Sequence, residues 1–433
     1  MNNQFNNVIE EFRWRGSLKD YTTNADSILI NEKITCYNGF DPTAKSLHIG
    51  NLIPILGLQR LQKYGHTPIV IVGGGTGMIG DPSGRTDERK LMSEALIEEN
   101  LAGIKGQLEK FLDFDNKKNP AQIINNAEWL NQINLIDFLR DTGKFFNINN
   151  MLGKDSVKNR LSRDEGISFT EFSYQLLQAY DFLYLFENYN CSFQMGGSDQ
   201  WGNIVAGIDL IRKKNPLNKN KAHGITYPLL TTSSGEKFGK SIDGAVTLDP
   251  NVTIPYKLFQ YFYNTSDDEV LDYIKLFTDI NIEEFNELEK ITLESPYKRE
   301  AQLFLSKEIT RIVHGEKGMN SALRQTEWLN QGKWEILSDD DFSDLYIGSE
   351  SINQLSRKKL SNGVNIQELT VDYDLCKSLG ESKRLINQGG ISLNGNKITD
   401  PEMKVFENDL KANKILIISK GKKNHKIIKV DWD

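Results

Sequence analysis

Apolar runs and helical periodicity alternate through the first half of this chain. Residues 33–38 (KITCYN) read as a strand that runs into a Gly/Asp/Pro loop. From about Leu47 to Tyr64 the apolar spacing becomes helical, with Ser46 placed to cap it. Pro54 lies inside that span and predicts a kink or one lost hydrogen bond. Residues 68–73 (PIVIVG) are continuously apolar, as in a strand buried on both faces. Strand, helix and strand in this order predict a doubly wound parallel α/β sheet. Residues 86–165 read as helices with polar joints, 169–188 as one long helix, and ITYPLL (225–230) as a further strand. From Pro250 to about Gly332 the pattern is helical with charged faces. SDDDFSDLYIGSES (338–351) is acidic and loop-like. Beyond Ser356, the stretch Ser382 to Lys397 reads helix, glycine turn, strand, Asn-Gly turn, strand. The expected class is α/β: a Rossmann-type parallel-sheet catalytic domain over 1–248, an α-helical domain over 249–335, an acidic linker over 336–355 and a small α+β domain over 356–433.

Length and composition narrow this picture. A chain of 433 residues exceeds what one core usually organises. No stretch approaches the roughly 20 apolar residues of a membrane span, so no membrane association is expected. The opening segment, MNNQFNNVIEEFRWRG, is polar and unlike a targeting leader. Cys36, Cys191 and Cys376 are far apart, with neither metal spacing nor a disulfide framework. A reducing cytoplasm is the expected location. The net charge of −7 hides an asymmetry. Residues 351–433 hold 15 Lys and Arg against 10 Asp and Glu, a local +5. Residues 1–350, with 37 against 49, stand at −12. The tail is the basic part, as in a tethered RNA-binding module.

Candidate chemistry lies in four strings. PTAKSLHIGN (42–51) places His48 at a helix start, where the dipole and free N–H groups favour phosphate; Thr43 can donate to a phosphate oxygen. KFGKS (237–241) carries Lys237 and Lys240, which can neutralise charge that develops as pyrophosphate leaves. A solvated turn or a packed histidine is the plainer reading of either string alone. Their order, with further strings between them, favours a nucleoside triphosphate site. The helix TEFSYQLLQAYDFLYLF (170–186) is apolar nearly all round, yet Gln178 and Asp181 share one face with Tyr174. A buried carboxylate needs partners, either a ligand or a structural network. QMGGSDQWGN (194–203) offers Asp199 and Gln200 beside glycines that admit a ligand to the backbone. No nucleophile is paired with a base, so no covalent enzyme intermediate is implied.

Together these strings resemble the bacterial-type tyrosyl-tRNA synthetases of class I. The resemblance is strongest at Tyr37–Asn51, GDPSGRTDER (80–89), YQLLQAYD (174–181), QMGGSDQWGN and KFGKS. It implies activation of tyrosine by ATP and transfer to tRNA, with Mg2+ accompanying ATP and no dedicated protein metal site. It implies that Tyr37 and Asp181 bind the phenol hydroxyl, that Asp81, Tyr174 and Gln178 hold the ammonium group, and that Gln200 orients the carboxylate. Gly197 and Asp199 then bind the ribose. Gly39, Asp41, Gly50, Asn51 and Ser241 complete the ATP site, with Thr43 and His48 on the γ-phosphate. Lys237, Lys240, Arg85 and Arg89 form a clamp. A site that hydrogen-bonds a hydroxyl rejects the analogue lacking it, and tyrosine-activating enzymes are the standard illustration of that rule. A symmetric homodimer is implied, with its contact over about 145–169. Phe145, Phe146, Met151, Leu152 and Phe169 are the apolar candidates there. The tail resembles a small RNA-binding domain, in which Lys383 and Arg384 open a helix and Lys358, Lys359, Lys422, Lys423 and Lys426 add charge. The chain departs from the family pattern at Asn51, where a second histidine is usual, and at Asn38, a cysteine in some relatives. A tryptophanyl enzyme, a non-catalytic RNA-binding relative and a small-molecule adenylyltransferase are the rivals. The first does not need the Tyr37/Asp181 pair. The second would be expected to have lost His48 or the lysines. The third leaves the basic tail and the Asp181 helix unexplained.

Overall fold

In the computed structural model, which describes residues 4–83, 93–161, 166–218, 221–230, 238–241, 244–331, 341, 353–411, 415–421 and 424–431, a five-stranded sheet organises the first part of the chain. Its strands are β1 (Thr35–Phe40), β2 (Thr67–Val72), β3 (Gln122–Asn125), β4 (Cys191–Gly197) and β5 (His223–Tyr227). They lie in the order β3-β2-β1-β4-β5 and every pairing is parallel. In β2 every residue but Thr67 is buried, which is why TPIVIV reads as a continuous apolar run. The chain leaves β1 in one direction to β2 and later returns on its other side as β4. Open α/β sheets bind ligands beyond the carboxyl ends of strands at such a reversal.

β3 and β4 carry no expectation from the sequence. Both are short or interrupted by polar residues, and QMGG at the end of β4 reads locally as a turn. The long helix runs from Phe169 to Tyr189. Ser168 Oγ accepts from the Glu171 N–H at 3.2 Å to start it, and Asn190 ends it in the left-handed conformation. Ser46 is not a helix cap; its hydroxyl donates to Leu47 O and Gln107 Oε1. A short 3-10 turn, Ile49–Asn51, precedes the helix Leu52–Lys63, and His48 caps that turn. Pro54 falls in the first turn of the α-helix, where the N–H has no α-helical partner, so its missing donor costs little.

The chain groups into two units, residues 1–248 with 266–301, and residues 249–265 with 302–433. The described part of the segment 249–335 is divided between these two units. Its helices Asp267–Phe277 and Ile282–Glu294 belong to the first unit, and Pro255–Tyr263 to the second. Two short strands, β6 (Lys240–Ser241) and β7 (Gly244–Ala245), form a hairpin in the first unit. In the second unit, the helix Glu300–Gln331 is broken at Gly315, whose φ is 72°.

The end of the second unit holds β8 (Asn353–Ser356), β9 (Val364–Asn365), β10 (Ile391–Leu393), β11 (Asn396–Lys397), β12 (Lys404–Val405), β13 (Ile415–Lys420) and β14 (Asn424–Asp431). A mixed sheet in the order β11-β10-β13-β14-β8 shares a core with the helices Ile366–Asp372 and Leu379–Asn387 through Ile366, Leu369, Ile386, Ile391, Ile418 and Ile428. Asn394 and Gly395 both have positive φ, as the two-residue turn between β10 and β11 demands. β8 pairs in parallel with β14, so the sheet of this module takes in Asn353–Leu355, ahead of Ser356.

Candidate active site

The carboxyl ends of β1, β2 and β4 open into a cleft of about 600 Å³, a volume suited to a small ligand. Fourteen of the sequence candidates line it: Tyr37, Gly39, Asp41, Thr43, His48, Gly50, Asn51, Asp81, Tyr174, Gln178, Asp181, Gly197, Asp199 and Gln200. Arg85, Arg89 and Lys237 lie outside the described residues, as do the side chains of Lys240 and Ser241. Burial is graded along the cleft. Tyr37 and Asp181 are fully enclosed, whereas Thr43, His48 and Asp199 are exposed.

At the enclosed end, the Asp181 carboxylate accepts from Trp129 Nε1 at 2.8 Å and from Asn126 Nδ2 at 2.9 Å. Asn126 is itself fixed: its Oδ1 accepts from Gly75 N at 2.8 Å, and its Nδ2 also donates to Thr76 Oγ1 at 2.9 Å. Burial nevertheless pushes the Asp181 carboxyl up to about 7, against the pull of its two hydrogen bonds. Each Asp181 oxygen keeps a further lone pair. Burial and the neighbouring Asp181 carboxyl raise the Tyr37 phenol, and its hydroxyl finds no hydrogen-bond partner among the described residues. A buried hydroxyl left unpaired is costly. A ligand hydroxyl would satisfy it by accepting from Tyr37 while donating to Asp181.

A chain of amides occupies the middle of the cleft. Gln200 Nε2 donates to Asp81 Oδ2 at 2.7 Å, Gln178 Nε2 to Gln200 Oε1 at 3.2 Å, and Asn203 Nδ2 to Gln178 Oε1 at 3.0 Å. Ser83 N donates to Asp81 Oδ1 at 2.8 Å. Burial raises the Asp81 carboxyl, with Asp41 adding to the rise. Two carboxylates and several amides thus converge, and carboxylates with amide oxygens are the groups an ammonium ion binds.

At the open end, His48 and Asn51 cap the helix start reciprocally. Gly50 N donates to His48 Nδ1 at 3.1 Å and His48 N to Asn51 Oδ1 at 3.0 Å. A Cβ at Gly50 would stand 2.8 Å from the imidazole, so only glycine lets the ring fold back onto its own turn. Since Nδ1 accepts, the neutral ring carries its proton on Nε2. Desolvation lowers the ring from its ordinary pKa, which favours the neutral donor over the cation. Asn51 keeps its amide N–H groups, because its carbonyl is already used.

Sequence reasoning did not find Asn126, Trp129, Thr76, Asn203 or Gln194, although all but Trp129 and Asn203 line the cleft. Asn126 and Trp129 follow the unexpected strand β3, so nothing local marks them. Asn203 lies inside a quoted string, one helical turn from Gln200, and the i,i+3 spacing was its available signal.

Comparison with known proteins agrees with this geometry. The family "tRNA synthetases class I (W and Y)" matches residues 30–329, and "Tyrosine--tRNA ligase SYY-like C-terminal domain" matches residues 349–428. The tyrosine–tRNA ligase of Roseiflexus castenholzii is 45% identical over 98% of this chain and 99% of its own length. That of Staphylococcus carnosus is 44% identical over 98% and 99%. A C-terminally truncated mitochondrial tyrosyl-tRNA synthetase from Aspergillus nidulans superposes with a TM-score of 0.68 at 32% identity, over 76% of this chain and 95% of that one. This chain belongs to the class I tRNA synthetases, in the tyrosine–tRNA ligase family.

Proposed function

We propose that the cleft binds tyrosine with its phenol between Tyr37 and Asp181, its ammonium group against Asp81, Tyr174 and Gln178, and its carboxylate at Gln200. The observation that carries this reading is the enclosed pair at the cleft's end: a carboxylate fixed by two donors and a phenol hydroxyl with no partner among the described residues. ATP then occupies the open end, with its ribose at Gly197 and Asp199. Its phosphates lie at Thr43 and His48, beside Gly39, Asp41, Gly50 and Asn51, and Mg2+ enters as part of that substrate. An oxygen of the tyrosine carboxylate attacks the α-phosphorus in line. The bond from that phosphorus to the β-phosphate oxygen breaks, and pyrophosphate leaves. His48 donates from Nε2 to phosphate, while Lys237, Lys240, Arg85 and Arg89 offset the charge that grows on the leaving group. In the second step a ribose hydroxyl of the terminal adenosine of tRNA attacks the tyrosyl carbonyl, and AMP leaves. Positioning and electrostatics carry both steps; no protein nucleophile is required. The test is Asp181→Ala in tyrosine-dependent exchange of labelled pyrophosphate into ATP. Exchange should collapse at subsaturating tyrosine with ATP affinity retained, and normal exchange would remove the pocket assignment.

We further infer a homodimer and a basic RNA surface. Ile148, Leu152, Leu161 and Phe169 expose large apolar side chains, Phe169 to 78%, and an isologous contact would cover them. Met151 is buried, while Phe145 and Phe146 are partly buried against the core of the first unit, so these three belong to the fold rather than to the contact. In the tail, Lys358, Lys359, Lys383 and Arg384 are exposed and fit a phosphate backbone. The three cysteines are free and buried, which suits a reducing cytoplasm. Among the described residues no helix is long and apolar enough to cross a membrane.

A further inference from the structure

The lysine string has a fixed point at Phe238. Its ring is buried, stacked on Phe277 at 5.2 Å between centroids with an interplanar angle of 15°. Its edge contact with Tyr273 is also at 5.2 Å, at 70°. Tyr273 and Phe277 contact each other at 5.9 Å, so the three rings form one cluster. Both partners lie on the helix Asp267–Phe277.

That helix is tied to the helix that starts at His48. Its last turn and the residue after it leave carbonyls exposed to buried cations. Arg15 Nη1 donates to Lys275 O at 3.0 Å and to Thr278 O at 2.7 Å, and Arg60 Nη2 donates to Leu276 O at 2.7 Å. Cations suit a helix carboxyl end, where the dipole is negative. Glu11 lies against both arginines, at 2.7 Å from Arg15 and 3.8 Å from Arg60. All three side chains are 1–2% exposed. Arg60 belongs to Leu52–Lys63, the helix that continues from the His48 turn.

The stem of the lysine hairpin is also hooked onto the His48 segment through the backbone. Val246 N donates to Gly239 O at 3.0 Å, Ile49 N to Val246 O at 2.9 Å, and Leu248 N to Leu47 O at 2.8 Å. The two signature strings therefore share one frame, held by the backbone on one side and by the aromatic cluster and the arginines on the other.

We propose that the helix Asp267–Phe277 is a strut that positions the lysine string for the activation step, with Phe238, Tyr273 and Phe277 as positioning residues. Phe238 is two residues before Lys240, whose backbone pairs with Ala245, so the seat of Phe238 fixes the backbone from which Lys240 leaves. The proposal rests on the assignment of the lysines to the leaving pyrophosphate. A displacement of about 1 Å at a charge-stabilising group can cost on the order of 10²-fold in rate. Loosening the seat should therefore reduce kcat without disturbing the tyrosine pocket, which other elements build.

The test uses Phe238→Ala, Phe277→Ala, their double variant, Phe277→Leu and Lys240→Ala in the full-length protein. Equilibrium tyrosine binding and pyrophosphate exchange are measured for each. Phe238→Ala and Phe277→Ala should lower kcat for exchange by at least roughly tenfold while tyrosine affinity stays at the wild-type value. Phe277→Leu, which refills the volume, should recover part of the loss. The double variant should be no worse than the poorer single, because both remove the same contact. Unchanged kcat in Phe238→Ala, multiplied losses in the double variant, or loss of tyrosine binding in parallel with kcat would each overturn the strut. If Lys240→Ala itself leaves exchange unchanged, the assignment of the lysines fails, a result separable from failure of the strut.

Discussion

At the scale of single residues, two atoms in the cleft define the chemistry. The Tyr37 hydroxyl is buried with no partner among the described residues, so the free protein carries a desolvation cost that the proposed substrate would relieve. Tyr37→Phe should therefore stabilise the free protein by about 1 kcal/mol while weakening tyrosine binding by a similar amount. Thermal unfolding with and without tyrosine checks both signs at once. A variant less stable than wild type in the free form would contradict the unpaired hydroxyl. Asp181 gives a pH signature. Its folded carboxyl stands at about 7, above the ordinary 3.8. Between those values the folded chain holds a proton that the unfolded chain has released, so stability falls as pH rises through this window. From pH 5 to 8 the wild type should lose on the order of 2 kcal/mol that Asp181→Asn does not lose. Parallel pH profiles for the two proteins would show that Asp181 is already ionised in the folded state at pH 5. The roles proposed for Tyr37 and Asp181 rest on the string around each and on the family resemblance, and the structure encloses both residues at one end of the cleft. Asn126 and Trp129, which aim Asp181, were not legible in the sequence. They act through a strand whose polar composition hides it, and only the fold brings them to the helix Phe169–Tyr189.

At the scale of elements, the buried strands announced themselves and the polar ones did not. PIVIVG is β2 almost residue for residue because a strand covered on both faces has no polar position to confuse the pattern. β4 ends in QMGG, whose glycines read locally as a turn although all four residues pair with β5. The start of the His48 helix was misplaced for a similar reason. Ser46 is the better cap by propensity, but the imidazole and Asn51 make the reciprocal hydrogen bonds instead, and Ser46 turns to Gln107. The exposed side chains of Ile148, Leu152, Leu161 and Phe169 yield a prediction of their own. Phe169→Asp should leave a folded protein that sediments as a monomer, since a charge at the centre of an apolar contact is desolvated without a partner. A dimer of unchanged mass would move the contact elsewhere.

At the scale of the whole molecule, charge and topology separate two tasks. The cleft and every candidate residue for activation belong to the first unit, while the excess of positive charge belongs to the last 83 residues, which are part of the second. The parallel pairing of β8 with β14 means that a cut at Ser356 would split the mixed sheet of the second unit. A chain ending at Gln331 should retain tyrosine-dependent pyrophosphate exchange, yet bind tRNA weakly and with a shallower dependence on salt. Full tRNA charging by that shortened chain at limiting tRNA would remove the tail from RNA binding. One discrimination is central to the proposed activity, that of a phenol hydroxyl by Tyr37 and Asp181. It is tested most directly by pyrophosphate exchange with tyrosine, phenylalanine and tryptophan offered separately at equal concentration. Tyrosine alone should drive exchange; phenylalanine or tryptophan supporting it as well as tyrosine does would contradict the account.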